Sequence, residues 1–79
     1  MKGDIIKETK YLIFQVLEEK PKTKKIGVIN RNGKYILGII EWYGPWRQYI
    51  FQSKEIMVWN KDCLQDVINV INQLMNERK

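Results

Sequence analysis

Apolar and polar positions alternate along the first two thirds of the chain and change to a helical spacing in the last third. From Tyr11 to Glu18 the alternation places Leu12, Phe14 and Val16 on one face, which predicts a strand. Proline and charge end that run at Glu19-Lys20-Pro21-Lys22-Thr23. Lys24 to Asn30 reads as a second strand. Asn32-Gly33 follows, a pair suited to the positive φ angles of a two-residue hairpin turn. Lys34 to Tyr43 is then a third strand and Trp46 to Gln52 a fourth, joined through Gly44-Pro45, with Ile56 to Trp59 as a short fifth. Residues 1–10 are weakly patterned and are expected to form a loose N-terminal segment or a short helical turn, leaving a single domain over 11–79.

Beyond residue 60 the period becomes helical. Leu64, Val67, Ile68, Ile71, Leu74 and Met75 share one apolar face, and Asn60 or Asp62 can cap the start. Asp62 with Gln65 three residues on resembles a capping box, while Arg78 and Lys79 suit the negative end of the dipole. The outer face is rich in amides (Gln65, Asn69, Asn72, Gln73, Asn76). The expected fold is α+β: an antiparallel β-meander of three to five strands with one C-terminal helix packed on one face.

The turns predict which residues share a face. A two-residue Asn32-Gly33 loop pairs Ile29 with Ile36, Val28 with Leu37, Gly27 with Gly38 and Ile26 with Ile39. Ile26, Val28, Leu37, Ile39 and Ile50 then form the face expected to receive the helix. If Gly44-Pro45 is the tip of the next hairpin, Trp42 faces Arg47, and Trp42, Arg47, Tyr49 and Phe51 lie on the other face. There Gly27 and Gly38 meet beside Phe51, a hollow flanked by Lys25 and Arg47. Either Phe51 fills the hollow, as aromatics do beside cross-strand glycines, or the face is a concave aromatic platform that admits a base or another backbone. Both faces are apolar and one helix covers only one of them, so the first strand, Tyr11 to Glu18, or a second copy of the chain must cover the remainder; a homodimer or larger assembly is expected.

Composition narrows the functional classes. Seventy-nine residues make one domain with a small core. There is no histidine, which removes the commonest general base and metal ligand, and a single cysteine, Cys63, which forms no internal disulfide and fits a reducing compartment. Cys63 falls in the first helical turn, where a thiolate would be stabilised, yet no histidine is present to activate it; a small buried residue is the expected role. The carboxylates Glu18, Glu19, Glu41, Glu55 and Asp66 show no acid–base or metal spacing, and no glycine-rich phosphate loop is present. No catalytic residue, metal or cofactor is expected. No apolar run is long enough to span a bilayer and no signal peptide is legible, so a cytoplasmic protein without membrane contact is expected.

The net charge of +5 is unevenly spread. Lys20, Lys22, Lys24, Lys25, Arg31 and Lys34 follow one another without an intervening acid. Such a run attracts polyanions, although lysines also protect edge strands from aggregation.

Leu37-Gly38-x-Ile-x-Trp42-Tyr43-Gly44-Pro45-Trp46-Arg47-Gln48-Tyr49-x-Phe51, followed by Cys63-Leu64-Gln65-Asp66-Val67, resembles a family of small uncharacterised proteins encoded by bacteria, prophages and phages. The resemblance covers roughly residues 22–75 and brings no activity with it. Members commonly have a proline after the Phe51 strand, where Gln52-Ser53-Lys54 stands here. More distantly, three strands and a C-terminal helix look like the DNA-reading sheets of plant AP2-type domains and integrase arm-binding domains, a likeness of topology alone.

Together these features point to a non-enzymatic, phage- or mobile-element-associated module that binds an anionic partner, with nucleic acid preferred. Lys22, Lys24, Lys25, Arg31, Lys34 and Arg47 would contact phosphates, and Trp42, Tyr49 and Phe51 would stack or pack. Two alternatives stand beside it. One is a protein-interaction module, such as a phage inhibitor of a host defence or replication enzyme, anchored by Trp, Tyr and Arg of the hairpin and by the amide-rich helix. The other is an oligomeric nucleotide-signal sponge with its pocket between subunits.

Overall fold

Five strands follow one another in a single antiparallel sheet: β1 (Ile5–Glu8), β2 (Leu12–Glu19), β3 (Lys24–Asn30), β4 (Ile36–Tyr43) and β5 (Gln48–Ser53). One helix, α1 (Lys61–Glu77), packs on one face. This is the expected α+β meander. The computed structural model describes residues 3–33, 35–54 and 58–77.

The N-terminal segment differs from expectation, since residues 5–8 form a strand rather than a loose end or helical turn. Ile6 adds its side chain to the core, and the backbone is tied to β2 by Val16 N–H donating to the Asp4 carbonyl at 2.9 Å. The expected fifth strand over Ile56 to Trp59 lies partly outside the described residues, and Val58 to Asn60 are not in a strand.

Register accounts for the largest correction. Ile29 pairs with Ile36 as the Asn32-Gly33 turn requires, but Val28 pairs with Gly38, so Leu37 is an extra residue in β4. Side chains alternate with period two, so one added residue swaps the faces of everything beyond it on that strand and on the strand it sets. Ile40, not Ile39, therefore lies opposite Ile26. The buried core is Leu12, Phe14, Val16, Ile26, Val28, Leu37, Ile40 and Tyr49 from the sheet with Val67, Val70 and Leu74 from α1; Trp42 and Phe51 pack against it. Ile39 and Ile50, expected in that core, stand on the open face. Gly38 lies beneath Phe51: a Cβ there would come within 2.6 Å of the ring and of the Gln52 carbonyl oxygen. Phe51 thus fills the hollow, but under the helix. Gly27 is on the opposite face, covered by Leu17.

The second hairpin also differs in length. Tyr43 pairs with Gln48 and Trp42 with Tyr49, so the loop holds four residues, Gly44 to Arg47. Lengthening a two-residue loop by two keeps the alternation, and Trp42, Tyr49 and Phe51 still share a face. Arg47 leaves the strand altogether.

On α1 the buried residues are Val67, Val70 and Leu74, with Cys63, Ile71 and Met75 at their margin. The helix is rotated from the expected orientation: Ile68 is 48% exposed and Leu64 stands at the solvent edge. Asn60 caps the helix, its Oδ1 accepting from Cys63 N–H at 2.8 Å. Gln65 bonds to Asn69 instead of reaching back, so no capping box forms. Arg78 and Lys79 lie outside the described residues. No helix among the described residues is long and apolar enough to cross a membrane.

Candidate interaction site at the hairpin tip

Antiparallel pairing brings the β2–β3 loop and the β4–β5 turn to the same end of the sheet, because β3 begins at Lys24 where β4 ends at Tyr43. The turn is built from Gly44-Pro45-Trp46 in one 3-10 turn, closed by Arg47 N–H donating to the Gly44 carbonyl at 3.0 Å. Proline at the start of the turn fixes φ where no N–H is needed. Arg47 ends it at φ 53°, the only non-glycine residue at positive φ among those described. For a side chain with a Cβ that conformation costs roughly 1–2 kcal/mol.

This geometry throws two rings outward. Trp46 is 65% exposed and Tyr43 is 38% exposed, and they meet edge to face with centroids 5.1 Å apart. The contact stiffens the tryptophan without covering it. The Arg47 side chain is exposed beside them, and Lys20 and Lys22 are exposed on the neighbouring loop. An exposed, pre-ordered indole next to a phenol and a guanidinium provides flat apolar area with hydrogen-bond donors at its edge.

The structure separates the residues that sequence reasoning grouped as one site. Lys22, Lys24 and Lys25 are at the tip end, whereas Arg31 is at the far end of β3, roughly 20 Å away at about 3.3 Å per residue. Lys24 Nζ lies 3.4 Å from Glu77, and Arg31 lies 3.7 Å from Glu8 while donating to the Thr9 carbonyl at 2.9 Å. Lys25 pairs across strands with Glu18, and Glu41 lines the same shallow hollow. Lys34 lies outside the described residues. Carboxylates thus pair with two of the expected phosphate contacts, Lys24 and Arg31, and Glu18 stands across the strand from Lys25.

The aromatic platform turns inward. Tyr49 is 4% exposed, meets Trp42 edge to face at 5.4 Å, and its hydroxyl accepts the Lys24 N–H at 3.1 Å. Phe51 meets Trp59 edge to face at 5.1 Å. Tyr49 is buried on the side of the sheet that receives α1, and Trp42 and Phe51 are half-buried at the margin of that core. Trp46 and Tyr43 are the rings sequence reasoning missed; their signal was present in Tyr-Gly-Pro-Trp, but a two-residue loop would have placed them as an ordinary strand pair.

At the opposite end a hollow of about 390 Å³ lies between the sheet and the start of α1, lined in part by Tyr11, Tyr35, Trp59 and Cys63. The Trp59 indole N–H is buried there without a hydrogen-bond partner. The Cys63 thiol is pushed above its ordinary range by burial and then by Asp66 and Asp62, so these effects outweigh the helix-start stabilisation expected of a thiolate. Among the described residues no cluster of His, Cys, Asp and Glu could hold a metal ion.

No family model and no solved structure matches the chain. It is similar to an uncharacterized 9.3 kDa protein of Acholeplasma phage L2, 43% identical over 75 residues, which cover 94% of this chain and 96% of the phage protein.

Proposed function

We propose that the hairpin tip is a protein-binding device, starting from the premise that this chain belongs to the same phage-encoded family as the Acholeplasma phage L2 protein. The chain acts as a small non-enzymatic module that captures a protein of the phage's host. The observation that carries this reading is the exposure of Trp46 on a 3-10 turn that contains Pro45, ends on the left-handed Arg47 and sets Tyr43 against the indole edge. Trp, Tyr and Arg are the residue types that dominate interface energetics, and a rigid anchor loses little entropy on binding.

The geometry favours this over nucleic acid. The rings meant to stack are covered, and Lys24 and Arg31 face carboxylates at 3.4 and 3.7 Å. The sheet face away from α1 carries isoleucines, Ile13, Ile29, Ile36 and Ile39, in place of a row of cations.

Affinity capture from a host extract tests the proposal, with the bound fraction analysed for both protein and nucleic acid. Wild-type chain is expected to retain a host protein after nuclease treatment, and Trp46→Ala is expected to lose it, by about 2 kcal/mol or more of binding energy as for an interface anchor. Retention of nucleic acid alone, lost on Lys20→Ala and Lys22→Ala but kept by Trp46→Ala, would replace this reading with the polyanion one.

A further inference from the structure

The sheet face away from α1 has no covering element among the described residues, yet it is built like a core. Ile13, Ile29 and Ile36 form one cross-strand row that ends at Glu8, and Ile39 stands beside Gly27 in the next, between Gln15 and Gln52, with Leu17 leaning over that glycine. Ile50 follows opposite Glu41. The bulge at Leu37 is what puts Ile39 and Ile50 here. These side chains screen one another and most are half-buried already, but among the described residues no further element lies over the row.

We infer that this face packs against the same face of a second copy, making the protein a two-fold symmetric dimer with two outward-facing tips. Area supports a second copy. Strands of up to eight residues, five abreast, present roughly 500–600 Å² in projection at about 3.3 Å per residue and 4.8 Å per strand. That is of the order of the about 800 Å² each partner gives a standard interface. Two twisted sheets pack face to face at about 10 Å separation, and a two-fold axis lets one surface complement itself.

Charge supports it too. A chain of net charge +5 would repel its copy through a basic surface. On this face Lys25 stands between Glu18 and Glu41, and that row forms a polar rim at the tip end, leaving the isoleucine rows as the apolar centre. The same arrangement denies polyanions the cations they need in those rows. A small domain gains most from such burial, because among the described residues its own core comprises only eleven buried hydrophobic side chains.

Sedimentation of the chain at about 100 μM, well above a micromolar dissociation constant, should give twice the mass of the 9.5 kDa protomer. Ile39→Glu should raise the dissociation constant roughly thirtyfold or more, the effect of losing one interface anchor, while Trp46→Ala leaves the dimer intact. Should Ile39→Glu fail to fold, dilution of wild-type chain followed by isoleucine methyl NMR keeps the test: signals of Ile13, Ile29, Ile36 and Ile39 must move and that of Ile68 must not. A monomer at that concentration, a dimer indifferent to Ile39→Glu, or shifts centred on α1 would overturn the inference. A monomer whose open face instead holds the host protein would overturn it as well. Loss of host capture in Trp46→Ala with dimer retained bears on the tip alone, so the two readings fail separately.

Discussion

Gly38 and Gly27 sit one strand apart yet have opposite tolerances. A methyl group at Gly38 collides with the Phe51 ring and with the Gln52 backbone, which cannot both retreat. Gly38→Ala is expected to cost about 1–3 kcal/mol by overpacking. At Gly27 the nearest atoms belong to the flexible Leu17 side chain at 3.1 Å, so Gly27→Ala should change stability by less than about 1 kcal/mol. Urea unfolding of the two variants checks the pair. The same measurement separates Leu74→Ala, expected to lose about 2–5 kcal/mol by opening a cavity, from Ile68→Ala, which removes a half-exposed side chain and should cost under about 1 kcal/mol. Cys63 allows a chemical check: with its thiol held protonated by burial and by Asp66 and Asp62, alkylation at neutral pH should run slower than for an unfolded control peptide.

At the scale of elements, periodicity made the strands and the helix legible, because alternation and the i, i+3, i+4 spacing are read directly from residue types. Register was not legible past Leu37. Ile36-Leu37-Gly38-Ile39-Ile40 offers an aliphatic at nearly every position, and no residue there announces which one is extra. β1 was missed for a related reason: Ile5-Ile6 is too short a run to outweigh the charges around it, and pairing with β2 supplies what propensity does not. The aromatic hairpin was recognised as the distinctive segment, but its loop length decided which rings face solvent. Arg47 offers a test within that loop. Replacing a left-handed arginine by glycine removes Cβ strain while freeing the unfolded chain. Arg47→Gly should therefore keep stability within about 1 kcal/mol of wild type, and host-protein capture should fall. Binding unchanged in a stable Arg47→Gly would remove the guanidinium from the site.

Taken as a whole molecule, the chain carries a net +5, and carboxylates stand beside Lys24 and Arg31 at 3.4 and 3.7 Å. Lys24 and Lys25 stand at one end of β3 and Arg31 at the other, a separation that sequence order conceals because they are neighbours only along the chain. Non-specific binding to DNA or RNA should accordingly rest on two or three phosphate contacts, giving a log–log salt slope near about −2, and be lost by about 150 mM salt. Filter binding across a salt series measures it. The three tryptophans report on the tip without any substitution: Trp46 at the tip, Trp42 half-buried against Tyr49 in the sheet, Trp59 at the far end. Their indole N–H resonances should be followed while the host protein recovered by capture is titrated in. The Trp46 signal should shift or broaden first while those of Trp42 and Trp59 hold still. A Trp46 signal that stays unmoved through saturation, with Trp42 or Trp59 responding instead, would contradict it.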